Sequence, residues 1–105
     1  MTTFDEREQA FEAKFAHDEE MQFKARARRN KLVGLWAAEL LGKTGSSAND
    51  YAQSIVAADL EEASHEDVVR KLTSDLGSRA SEEQIRLKLQ ELLVQAQAEM
   101  LSESN

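Results

Sequence analysis

Apolar side chains recur at spacings of three and four along four stretches of the chain, and each stretch predicts a helix. Leu32, Val33, Leu35, Trp36, Ala37, Leu40 and Leu41 form the first stripe, which is wide, as a helix buried against several partners requires. The second helix begins near Ser47 or Asn49, carries Tyr51, Ala52, Ile55, Val56 and Leu60 inward, and stops around Ala63. In the third, Ser64 is the expected cap with Asp67 three residues later; Val68, Val69, Leu72 and Leu76 follow, and Gly77 marks the end. Ser81 and Gln84 make a capping box for the fourth helix. Its stripe of Ile85, Leu89, Leu92, Leu93, Ala96 and Met100 is the clearest in the chain and runs to about Leu101. Four such stripes joined by short connections predict an all-α fold, most simply an antiparallel four-helix bundle.

The first segment is longer than its stripe. No breaker interrupts it from Thr3 to about Leu41, Thr3 and Glu6 have the spacing of a capping box, and Gly42-Lys43-Thr44-Gly45 ends it. A continuous helix of about 38 residues would span roughly 60 Å, about twice the width of a 100-residue globule, so its N-terminal half must project. Residues 1–23 offer only Phe4, Phe11, Phe15, Met21 and Phe23 among many charges. Burial of so few apolar groups does not offset their ordering entropy, and these residues are expected to be frayed or disordered in the isolated protein. The expected division is therefore a mobile partner-binding segment over residues 1–20 and a four-helix bundle over residues 21–105.

Composition agrees with the helical reading. Proline is absent, glycine occurs four times, and the remainder is rich in good helix formers. The 105 residues fit one domain with one core. With no cysteine there is no disulfide framework and no thiolate chemistry, as suits a reducing compartment. The N-terminus lacks the basic and apolar run of a secretion signal, and no apolar stretch reaches the roughly 18 residues of a membrane span, so a cytoplasmic protein with no direct membrane insertion is expected. A formal charge of −7 argues against a chain that coats nucleic acid or an anionic membrane. The charge is uneven: residues 1–20 hold seven acids against Arg7 and Lys14, whereas residues 24–31 hold five bases and no acid.

Few residues offer chemistry. Gly42-Lys43-Thr44 has the types of a phosphate-binding loop, but Ala37 stands where that motif needs a glycine and a helix precedes it where a strand belongs, so a helix C-cap is the better reading. His17-Asp18-Glu19-Glu20 supplies a single histidine among solvated carboxylates, short of the three or four converging ligands of a transition metal. His65 falls in a first helical turn without a catalytic partner. No nucleophile, base and orienting group can be assembled, so no catalytic residue, metal site or cofactor is expected, and the protein is not an enzyme.

Two features point to a macromolecular partner. The basic run Lys24, Arg26, Arg28, Arg29 and Lys31 places Lys24, Arg28 and Lys31 on one helical side, as a general adaptor or nucleic-acid accessory protein would use it; the bland alternative is a charged stretch between core and tail. With an acidic remainder and little aromatic interleaving, nucleic acid is not the expected partner. The second feature is more informative. Phe4, Phe11 and Phe15 fall near one side of a helix with Glu8 and Glu12 close by, the pattern of a helix that enters a groove with aromatic anchors. The alternative is that these rings pack back on the bundle.

The runs Phe4-Asp5-Glu6-Arg7-Glu8, Phe11-Glu12-Ala13-Lys14-Phe15-Ala16-His17-Asp18-Glu19-Glu20 and Phe23-Lys24-Ala25 carry a family likeness. So does Ala27-Arg28-Arg29-Asn30-Lys31-Leu32-Val33-Gly34-Leu35-Trp36-Ala37-Ala38-Glu39. The chain resembles the zeta subunit of alphaproteobacterial F-type ATP synthases, closely over about the first 45 residues and as a helical pattern thereafter. The resemblance implies a four-helix protein whose N-terminus enters the catalytic head between alpha and beta subunits, beside gamma, and blocks ATP hydrolysis. It implies inhibitory residues within Thr2 to Asp18, which adds Lys14, His17 and Asp18 to Phe4, Glu8, Phe11, Glu12 and Phe15 as partner contacts. It further implies a monomer when free, peripheral to the inner membrane through the synthase.

Overall fold

The computed structural model describes residues 18–60 and 65–103 of the chain. Among the described residues four α-helices follow one another: α1 Glu19–Leu40, α2 Gly45–Leu60, α3 Glu66–Leu76 and α4 Glu82–Glu103, with a 3-10 turn at Gly77–Arg79 before α4. No strand occurs among the described residues, and the fold is the expected all-α bundle.

The helix ends follow from local chemistry. Asp18 is extended (φ −126°, ψ 99°) and its carboxylate accepts the Met21 backbone N–H at 3.1 Å, so α1 starts at Glu19. A single helix from Thr3 to Leu41 is thereby corrected: an aspartate followed by Glu19 and Glu20 is a capped start, with acids favoured beside the positive end of the helix dipole. Residues 19–23, expected to fray, belong to α1. The Thr3–Glu6 box lies outside the described residues. At the other end, Gly42 takes φ +76° and donates to Glu39 O, while Lys43 donates to Ala38 O; these two bonds close α1 in a Schellman motif. Gly42-Lys43 is thus a helix terminus, as expected. His65 precedes α3 without a side-chain capping bond, and the expected cap Ser64 lies outside the described residues. Gly77 closes α3 with φ +55°. The Ser81–Gln84 capping box is formed in both directions, at 2.8 and 3.1 Å.

Helix α1 runs antiparallel to both α2 and α4. Gly34 and Ala52 face each other at equal distances from the turn between α1 and α2. Arg28 near the start of α1 meets Glu103 at the end of α4, whereas Trp36 later in α1 stacks under Lys88 early in α4. Val33, Ala37, Ile55, Val68, Val69, Leu72, Leu76, Ala80, Ile85, Leu89 and Leu92 are buried together, with Leu32, Trp36, Leu41 and Tyr51 packed partly against them. Each fully buried Leu or Ile of that set contributes about 1.5–3 kcal/mol relative to exposure. The wide α1 stripe is trimmed at one edge: Leu40 remains 38% exposed.

Candidate functional site

Of the expected partner-binding residues, Phe4, Glu8, Phe11, Glu12, Lys14, Phe15 and His17 lie outside the described residues. Asp18 lies at the boundary, and its carboxylate is engaged in capping α1. That engagement fixes where the segment joins the bundle, at the start of a helix whose first turn carries Glu19 and Glu20.

The basic run occupies the middle of α1, and the fold uses most of it. Lys24 pairs with Glu20 at 3.0 Å, one turn back on the same helix. Arg28 forks onto Glu103 through two 2.8 Å bonds and reaches Glu99 at 3.4 Å, tying α1 to the last turns of α4. Hydrogen bonding to Glu103 raises the Arg28 guanidinium above its ordinary range, and the same bond holds the Glu103 carboxyl below its own. Arg29 is 5% exposed and donates from Nε and Nη2 to Asn30 Oδ1 at 3.1 and 3.0 Å. Desolvation lowers its pKa, against the opposing pull of Asp59 and with the added push of Arg26. Arg29 therefore serves the interior, a correction to its expected place on a contact surface. Arg26 is half-buried and Lys31 exposed.

A groove of about 520 Å³ opens beside this run, between the first turns of α1 and the last turns of α4. Met21, Phe23, Ala27 and Met100 supply its apolar lining, and Lys24, Arg28 and Glu103 its charged rim. Phe23 presents 47% of its surface to solvent there. The sequence gives Phe23 as one more aromatic of the N-terminal stretch; its partnership with Met100 joins residues far apart in the chain and has no local signal.

Two further polar clusters tie the helices together. Tyr51 donates to Asp75 Oδ2 at 2.8 Å and Lys71 donates to the same oxygen at 3.0 Å, with the ammonium 5.4 Å from the tyrosine ring centroid. Partial burial pushes the Asp75 carboxyl up, but the bonds from Lys71 and Tyr51, with the charges of Lys71 and Lys43, outweigh it and hold the group below the usual carboxylate range. Burial and the bond to Asp75 push the Tyr51 phenol above its ordinary value. Arg86 forks onto Glu66 at 3.0 and 2.9 Å, and His65 Nε2 lies 3.9 Å from the same carboxylate. Neither cluster joins a nucleophile to a base. Among the described residues no group of three or more histidines and carboxylates is placed to hold a metal, and no helix is long and apolar enough to cross a membrane.

A family model described as ATPase inhibitor subunit zeta matches residues 1–99. Among solved structures, the chain is similar to a protein determined by solution NMR, at 54% sequence identity and a TM-score of 0.73, over 79% of this chain and 98% of that one. Among curated proteins, none matches the chain.

Proposed function

We propose that this chain, which belongs to the ATPase inhibitor subunit zeta family, restrains ATP hydrolysis by an F-type ATP synthase through its N-terminal segment while the bundle holds that segment at the enzyme. The family is one of inhibitors, a regulatory and not a catalytic role. The observation that carries the finer reading is the cap at Asp18, which separates the aromatic stretch of residues 2–17 from the four-helix bundle. In this mechanism Phe4, Phe11 and Phe15 fill apolar pockets at an interface of alpha and beta beside gamma, and Glu8 and Glu12 pair with basic groups, flanked by contacts from Lys14, His17 and Asp18. A helix of 17 residues is roughly 25 Å long, enough to bridge neighbouring subunits. If it orders only on the enzyme, that ordering costs several kcal/mol of affinity, which keeps inhibition weak and switchable. The protein is then peripheral to the membrane through its enzyme, monomeric when free, and needs no cofactor.

The adaptor or nucleic-acid reading of the basic run is less well supported. Lys24 and Arg28 are already paired with carboxylates of this chain and Arg29 is buried, which leaves a weak electrostatic footprint for phosphates.

The test is hydrolysis by the cognate F-type ATPase with the full chain and with the chain lacking residues 2–18. Inhibition by the full chain alone is expected; equal effects of the two would remove the segment from the mechanism. Phe11→Ala combined with Phe15→Ala is expected to abolish inhibition and leave the bundle folded, whereas loss of cooperative melting would move those rings into the core.

A further inference from the structure

We propose that the groove between the start of α1 and the end of α4 is the resting place of the chain's own N-terminal segment, with the rings of Phe11 and Phe15 seated on Met21, Phe23, Ala27 and Met100. The inference rests on the reading of that segment as the inhibitory element and adds its regulation: the two rings that meet the enzyme are held at home until they are exchanged.

The position of the groove selects its occupant. Asp18 caps α1 one turn before Met21, so the preceding residues enter at the groove's mouth. Phe15 and Phe11 stand three and seven residues before Asp18, a reach of at most about 10 and 25 Å, which covers the roughly 9 Å from Met21 to Ala27 along α1.

The surface suits aromatic rings. Phe23 offers an unusually open ring, and the two thioether side chains beside it adapt readily to an incoming aromatic group. The rim does not select for acids, because Lys24 is held by Glu20, and Arg28 by Glu99 and Glu103. An acidic peptide or a nucleic acid gains little there. Tethering decides the rest: a segment joined directly to the groove has an effective concentration of about millimolar, so a contact too weak to capture a second copy still closes on its own chain. Docking then reduces the affinity seen by the enzyme in proportion to the fraction of segments left undocked.

Two measurements on the folded chain test the proposal. In NMR spectra of the full chain, removing residues 2–17 or substituting Phe11→Ala with Phe15→Ala is expected to shift the signals of Met21, Phe23, Ala27 and Met100 independently of protein concentration. Unchanged groove signals would overturn the docking, and shifts that grow with concentration would assign the groove to a second copy instead. In hydrolysis assays, the full chain carrying Phe23→Ser or Met100→Gln is expected to half-inhibit at a concentration about fivefold lower, because the segment is released. Both positions are partly exposed, so melting should be retained in each. Unchanged or weaker inhibition by both folded variants would overturn the competition. If no form of the chain inhibits, the inhibitory reading fails, while the spectra still decide whether the segment docks.

Discussion

Helices α3 and α1 bury themselves in different ways. In α3, Val68, Val69, Leu72 and Leu76 make one apolar stripe, and all four are buried. In α1 two adjacent rows are buried: Ala25, Arg29, Val33 and Ala37 on one, and Asn30, Gly34 and Ala38 on the next. The second row contains no large apolar side chain. Its function is proximity, because it lets the backbone of α2 approach closely at Ala52. A helix on the flank of a bundle declares its inner face through hydrophobic spacing, whereas one packed on several sides also needs small residues, which spacing does not register.

The largest expected effect tests the α3 side of this contrast. Leu72 is fully buried in the shared core, and Leu72→Ala is expected to cost about 3 kcal/mol in denaturant unfolding, the loss of the side chain plus the cavity it leaves. A cost well under about 1 kcal/mol would mean that α3 is not integral to the core. On the α1 side, a Cβ on Gly34 would lie 2.6 Å from the Ala52 Cα and 3.1 Å from its Cβ. Since the nearest atom is backbone, the helices must separate. Gly34→Ala is therefore expected to cost about 2 kcal/mol even though alanine is the better helix former by about 1 kcal/mol. Stabilisation by Gly34→Ala would show that α1 and α2 are not held at this distance.

The same contrast explains what could be read from residues alone. The stripes of α3 and α4, the Ser81–Gln84 box and the stop at Gly77 depend on neighbours within a few positions, and each is present in the fold. The start of α1 was obscured because Asp18-Glu19-Glu20 reads equally as a solvated acidic face and as a cap with a favourable first turn. Arg29 and Asn30 sit in a charged run that reads as surface, yet they are buried against each other, and Asn30 Nδ2 has no hydrogen-bond partner among the described residues. The aromatic stretch was legible as a candidate site because its spacing is local. The groove was not, since Phe23 and Met100 meet only through the packing of the first helix on the last.

A smaller effect is expected where α2 is tied to α3. Tyr51 is the chain's single tyrosine, so phenolate absorbance during alkaline titration reports it alone. Burial and the bond to Asp75 raise its pKa in the fold, which favours the protonated phenol. Its contribution to stability is full below the ordinary phenol value near pH ~10 and is lost as pH rises beyond it. Asp75 has the opposite sign: its depressed carboxyl contributes above the ordinary carboxylate pKa and is lost as pH falls through the folded value. Tyr51→Phe is expected to cost about 1 kcal/mol at neutral pH, as for a partly exposed hydrogen bond. Asp75→Asn should bring the Tyr51 midpoint down toward that of a free phenol; a midpoint already ordinary in the unaltered chain would show that the bond is not held in solution.

The smallest effect belongs to the Arg28–Glu103 fork, which distinguishes holding two helix ends together from stabilising the whole fold. Both partners reach into solvent, and an exposed pair is screened by salt and opposed by side-chain entropy. The hydrogen bond from Arg28 depresses the Glu103 carboxyl despite the cost of desolvation, so its contribution exists above the ordinary carboxylate pKa and disappears as pH falls through the depressed value. Glu103→Gln is therefore expected to leave the melting temperature unchanged at neutral pH. The ends are another matter, because Arg28 is an ion-paired link between the early part of α1 and the last turns of α4. Amide exchange should quicken over residues 19–24 and 99–103 while that of Val33, Ala37 and Leu72 stays slow. High salt should reproduce this pattern in the unaltered chain and add little to the variant, in which Arg28 keeps only the longer contact with Glu99. A uniform rise in exchange across all four helices would instead make the fork part of the global fold and erase the distinction between the anchored half of α1 and its start.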